Sequence, residues 1–162
     1  MKVAFYLFIL VLTQANSDDN SKYHSNLIEC IPHKNPDNNT IEEYAKLQVV
    51  TDLTHLPLRD IARRELISEQ NAYYNGFLFC SWKKYEYQTK KGVVVYDTIE
   101  RSLRDALVSE VGSTGPGINL SKIEAKNIVN HCRNITENTP GRTAIKVQNC
   151  ILKQIQHIGV IN

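Results

Sequence analysis

Four cysteines, Cys30, Cys80, Cys132 and Cys150, follow an apolar leader, and this combination constrains the chain more than any other feature. Lys2 supplies a positive start, Val3 to Leu12 form an almost unbroken apolar run, and Thr13, Ala15 and Ser17 are the small or polar residues at which such a leader is cleaved. The expectation is a signal peptide over 1–17 and a secreted, extracellular domain over 18–162 whose cysteines are oxidised in pairs. The apolar run is too short for the roughly 20 residues of a bilayer span, and no later segment is apolar enough, so no membrane insertion is expected. Three sequons, at Asn38, Asn119 and Asn134, are candidate glycosylation sites on a chain that takes this route.

Without the leader about 145 residues remain, one domain's worth. A chain of that size buries roughly 70% of its unfolded surface and so forms a real core. The full sequence carries 19 basic and 17 acidic side chains, and losing Lys2 leaves 18 against 17, nearly neutral. Nucleic-acid binding is not expected from this balance, because it draws on a basic excess or stripe. The one cluster, Lys83-Lys84 with Lys90-Lys91, is split by residues 85–89 and reads as a solvated face.

Helix punctuation recurs along the mature part. Thr40-Ile41-Glu42-Glu43 has the pattern of a capping box, opening a helix to about Val50. Pro57 suits a first turn, with Leu58, Ile61, Ala62 and Leu66 as an apolar stripe. A long helix is expected between Ser68 and Tyr87. After the break at Lys91-Gly92, the run Val93-Val94-Val95 reads as extended or irregular, and Asp97 restarts a helix with Ile99, Leu103, Ala106 and Leu107 inward. Residues 112–117 end it. Ser121 to Glu124 reads as another capping box, ahead of Ala125, Ile128, Val129, Cys132 and Ile135 on one face. Thr139-Pro140 caps a last helix striped by Ala144, Val147, Ile151, Ile155 and Ile158, with Ile145 and Leu152 beside them. A further turn or two precedes Cys30. The fold class is therefore all-α.

Four cysteines allow three pairings, and spacing alone does not choose among them. The tight turn at Asn138-Thr139-Pro140 makes the helices carrying Cys132 and Cys150 antiparallel, so the two sulfurs can face one another; Cys30 with Cys80 is what remains. In the chain-entropy account the shorter loop is worth about 3 kcal/mol and the longer about 4. A structural zinc site is not expected, since no cysteines stand at Cys-x-x-Cys spacing and His131 points elsewhere on its helix than Cys132.

The segment Cys132-Arg133-Asn134-Ile135 through Thr143 to Lys153, with Ala144 six residues before the final cysteine, resembles the last two helices of insect odorant- and pheromone-binding proteins. Tyr73 to Cys80 resembles that family's third helix, with Gly76 where its first cysteine stands; Gly141 stands where the penultimate cysteine would be. Those two cysteines pair with each other in six-cysteine members, so the chain resembles the four-cysteine subclass and the salivary or venom proteins built on the same fold. The spacings Cys30 to Cys80 and Cys80 to Cys132 are longer than usual for the family. The resemblance implies a compact bundle of about six helices with two disulfides around an apolar cavity, Gly76 facing Gly141, and a secreted, non-catalytic carrier or scavenger of small, mostly hydrophobic ligands: odorant, pheromone, lipid or biogenic amine.

On that reading Tyr74, Phe77, Leu78 and Trp82, with Tyr96 and Leu103, and Val147 and Ile151 on the last helix, form the ligand-binding set. An amine would call for a carboxylate facing aromatic rings, for which Glu86 or Asp97 beside Tyr87 and Tyr96 are candidates. Catalysis is not expected: the five histidines are scattered, and no nucleophile motif, phosphate loop or metalloprotease motif is present. Glu42-Glu43 and Glu65 with Glu69 read as helix-surface charge and capping. No cofactor or metal is implied. The alternative is a secreted inhibitor or effector with a filled core that binds a protein partner through its surface and the loop 83–95.

Overall fold

The computed structural model describes residues 20–158, so the expected signal peptide over 1–17 lies outside the described residues. Among them are seven α-helices and one 3₁₀ turn: α1 (20–30), α2 (Asn38–Lys46), the 3₁₀ turn (Thr51–Thr54), α3 (Leu58–Ala62), α4 (Ala72–Lys84), α5 (Tyr96–Val111), α6 (Gly115–Cys132) and α7 (Pro140–His157). None of them is long and apolar enough to cross a membrane. The run Val93 to Val95 contributes only an isolated antiparallel bridge between Gln88 and Val94.

The apolar stripes of the second half pack as their periodicity predicts. Ile99, Leu103, Ala106 and Leu107 of α5, Ala125, Ile128 and Val129 of α6, and Ala144, Val147, Ile151 and Ile155 of α7 are all buried, with Ile145 and Leu152 beside the last stripe. Burying such a side chain contributes about 1.5–3 kcal/mol, enough for the stripes to set which helix faces meet. Helix α4 lies along α7, and α5 lies along α6. Both pairings of the cysteines are confirmed: Cys30 with Cys80 at a Cα separation of 5.5 Å, and Cys132 with Cys150 at 5.9 Å.

Several helix ends differ from the sequence expectation, each for a local reason. Asp37, not Thr40, caps α2, its side chain accepting the Thr40 amide at 2.8 Å. The α4 helix is shorter than 68–87 because Asn71 caps its start, accepting from Tyr73 and Tyr74, and Glu86 turns the chain at φ 60 after its end. Helix α6 begins at Gly115, six residues before Ser121. Ser121 is therefore an interior residue, and its hydroxyl donates back to the Gly117 carbonyl at 2.9 Å instead of capping. Thr139 does cap α7, accepting the Arg142 amide.

The two glycines expected to face one another do not. A Cβ at Gly141 would stand 2.2 Å from the Asn75 carbonyl oxygen, whereas one at Gly76 meets nothing within 4 Å. The close backbone approach of α4 and α7 thus belongs to Gly141 and Asn75. Gly92, at φ 83, is required a second way: a Cβ there would run into the Pro140 ring at 2.5 Å.

Candidate functional site

Six of the eight expected ligand-binding residues meet in the core. Phe77, Leu78, Trp82, Leu103, Val147 and Ile151 are 0–1% exposed and pack in one hydrophobic cluster. Tyr74 and Tyr96 are half-buried and lie on two separate surface clefts, which none of the six lines. Trp82 Nε1 has no hydrogen-bond partner among the described residues.

Tyr96 donates its hydroxyl to the Cys132 carbonyl at 3.1 Å and carries the Arg133 guanidinium 5.2 Å above its ring. Tyr87 pairs with Ser102 at 2.9 Å. Glu86 and Asp97 are both exposed.

Tyr74 leads to a cleft that the sequence did not announce. About 740 Å³ lies between one face of α2 (Asn39, Glu42, Glu43, Lys46), with Leu47 just past its end, and an irregular strap that follows α3 (63–68), with Tyr74 of α4 at one side. The α2 residues stand at helical i, i+3, i+4, i+7 spacing, so a single face presents them. Opposite, Tyr44 turns into the core and packs edge-on against Phe77 with ring centroids 4.8 Å apart. Leu47, Leu66, Ile67 and the Tyr74 ring supply the cleft's apolar surface, with Leu66 46% exposed.

The strap has no regular hydrogen bonding of its own and is held by side chains from elsewhere. Asn149 of α7 grips Ile67 at both backbone groups, accepting its amide at 2.9 Å and donating to its carbonyl at 2.8 Å. Gln156, also on α7, donates to the carbonyls of Ala62 and Arg64 at 3.0 and 3.1 Å. Arg64 reaches down to Asp52, which is 1% exposed, at 2.5 Å. These grips end the stripe that starts with Leu58 and Ile61. Instead of continuing as a helix to Leu66, the chain straightens, Ile67 enters the core at 8% exposure, and Leu66 is left in the cleft.

Asp52 is the centre of a buried polar cluster. Tyr23 of α1 donates its hydroxyl to Asp52, and Gln48 donates to the same hydroxyl at 3.1 Å while accepting from Ser81 at 2.6 Å. Burial raises the Asp52 carboxyl pKa, with Arg64 and Tyr23 opposing that shift; burial and the neighbouring Asp52 raise that of the Tyr23 phenol. Gln148 completes the arrangement, accepting from the Val50 amide at 3.3 Å and donating to the Leu47 carbonyl at 2.7 Å. The chain from Leu47 to Ile67 is therefore positioned by buried directional bonds.

Within the cleft, Tyr74 donates to Glu43 at 2.5 Å, and that hydrogen bond, with burial and the carboxylate charge, pushes the phenol up to about 12. The chemistry available here is binding through an apolar floor and a charged rim. Sequence reasoning named Tyr74 and noted Glu42, Glu43 and Glu65 only as surface charge. The available signal was the pair Leu66-Ile67, two adjacent apolar residues that one helical stripe cannot both occupy. The three sequon asparagines are all exposed: Asn38 at the first residue of α2, Asn119 on α6, and Asn134 in the connection before α7. Comparison of the chain with protein-family models, with curated proteins and with solved structures finds no match in any of the three.

Proposed function

We propose that the protein is a secreted, non-catalytic carrier or scavenger that binds a small, largely apolar ligand in the cleft between α2 and the 63–68 strap. The observation that carries this reading is the cleft itself: about 740 Å³, floored by Leu47, Leu66, Ile67 and Tyr74, with one wall held rigid from α7. Small-molecule sites span about 300–1,000 Å³, with apolar linings and a few placed polar groups. The two disulfides and the leader support an extracellular setting, and the resemblance of the last two helices to odorant- and pheromone-binding proteins supports a carrier. The cleft, rather than the core, is the place we assign to the ligand, because the core set is already packed against itself.

The test is titration with the hydrophobic dye N-phenyl-1-naphthylamine, read by dye emission and by Trp82, the sole tryptophan. Leu66→Asp, at an exposed position, should weaken dye binding at least tenfold while leaving the melting temperature unchanged. Bound dye should stabilise the protein by mass action, about 2.7 kcal/mol at a hundredfold excess over Kd. Quenching of Trp82 with binding indifferent to Leu66→Asp would put the ligand in the core instead. No binding by any apolar probe would leave the second reading, a surface-binding inhibitor, which Val93 favours: it is 62% exposed on the loop beyond the Gln88–Val94 bridge.

A further inference from the structure

The charges around the cleft are not evenly matched. Glu42 is paired with Lys46 on its own helix at 2.8 Å, and Asp60 stands 3.8 Å from Arg63. The remaining cation of the lining, Arg64, is committed to the buried Asp52 at 2.5 Å. Two carboxylates of the lining, Glu43 and Glu65, therefore have no cationic partner among the described residues. Glu43 is held in place by the Tyr74 hydroxyl, and the Tyr74 ring belongs to the same lining. Unmatched negative charge beside an aromatic ring and an apolar floor is the complement of an organic cation: the head gains charge-assisted hydrogen bonds, and the body covers Leu66 and Ile67.

We propose, building on the carrier reading, that the cleft selects ligands with a protonated amine head and an apolar body, Glu43 and Glu65 receiving the head. A carboxylate-headed amphiphile of the same length is excluded by the same two groups, so the cleft discriminates by repulsion as well as attraction. The ligand is a small molecule, because the cleft holds about 740 Å³ and is bounded on three sides by α2, the strap and Tyr74.

Three probes with one body and different heads, octylamine, octanol and octanoate, separate the possibilities by isothermal titration at neutral pH. Octylamine should bind about tenfold tighter than octanol, with octanoate weakest, and the advantage should shrink as salt is raised because the rim is exposed. Glu43→Gln combined with Glu65→Gln should bring octylamine to the level of octanol and raise octanoate toward it. Both positions are exposed, so the fold should tolerate the exchange. Equal affinity for the three heads, a preference for octanoate, or an amine preference that survives the double variant would overturn the assignment of the head while the carrier reading stands on the tenfold loss of dye binding in Leu66→Asp. If neither the dye nor any of the three probes binds, the carrier reading fails and this inference fails with it.

Discussion

The half of the molecule built on α4, α5, α6 and α7 and the stretch from Leu47 to Ile67 both reach into the core but are held by different forces. In the first, stripes of Ile, Leu, Val and Ala at helical spacing meet stripes of the same kind, and the contact is non-directional. In the second, Gln48 and Asp52, with Gln148 reaching in from α7, lie at 0–1% exposure, and their bonds to Tyr23, Ser81, Arg64, Leu47 and Val50 set the path of the chain. The apolar half supplies stability and tolerates exchange among shapes of similar volume. The polar stretch contributes little net stability per bond but loses a great deal when one partner is removed, since the other is left buried and unmet. The cleft is built on the polar stretch, where the path of the chain matters more than the area buried.

Substitutions on each side should break this comparison in characteristic ways. The largest effect belongs to the apolar half: Trp82→Ala should cost about 3–5 kcal/mol in chemical unfolding, through lost transfer energy and the void left behind. Close behind is Asp52→Ala, which strands Arg64 and should cost about 3 kcal/mol. Here the two halves part. Combining Asp52→Leu with Arg64→Leu should recover most of the stability, because the desolvation of both charges is relieved together, whereas no second substitution rescues the hole at Trp82. Failure of the double variant to recover would mean that the strap's path, not the ion pair's balance, sets the stability of this stretch.

A smaller effect sharpens the link to the cleft. Asn149→Ala removes both grips on the Ile67 backbone and should cost about 1–3 kcal/mol. Amide exchange at Ile67 should accelerate, and dye affinity should fall more than it does for an equally destabilising substitution in α5, such as Leu107→Val. Equal losses of affinity would mean the strap needs no rigidity to bind.

The smallest effect lies at the corner between α6 and α7, where Lys146 hydrogen-bonds Glu137 and holds its carboxyl below the usual range. A carboxyl whose pKa is depressed by folding stabilises the native state above its unfolded pKa, and that contribution disappears as pH falls through the lower folded value. Lys146, raised chiefly by the same hydrogen bond, gives a contribution present at neutral pH and lost only as pH rises through its raised value. Glu137→Gln should therefore lower the neutral plateau of the melting profile slightly and flatten its acid limb by the same amount. A wild-type acid limb would persist in the variant if the pair were too solvent-screened to matter.

The all-α class and the inward faces of α5 and α7 were legible because each rests on local periodicity; of the two cysteine pairings, Cys132 with Cys150 was argued from consecutive helices, and Cys30 with Cys80, 50 positions apart, only followed by elimination. Helix starts were less so. Asp37 and Thr40 both stand where a cap can form, and only the path taken by the backbone decides which side chain meets the free amide. The ligand set was legible as a cluster, since Phe77, Leu78, Trp82, Leu103, Val147 and Ile151 do come together. That they pack against one another beneath the surface clefts follows from the summed volumes of side chains on three helices, a quantity no single stripe contains.

By itself the sequence determined what is periodic or local: that the chain is helical, and which faces of its longer helices are apolar. Tertiary structure alone decided the cleft. Its rigid wall depends on Asn149 and Gln156 reaching the backbone 82 to 94 positions earlier in the chain. Its unmatched charge depends on Arg64 being drawn away to a buried Asp52. Hydrogen bonds and ion pairs between distant residues require both partners within about 3 Å at a set angle, and only the packed fold brings them there.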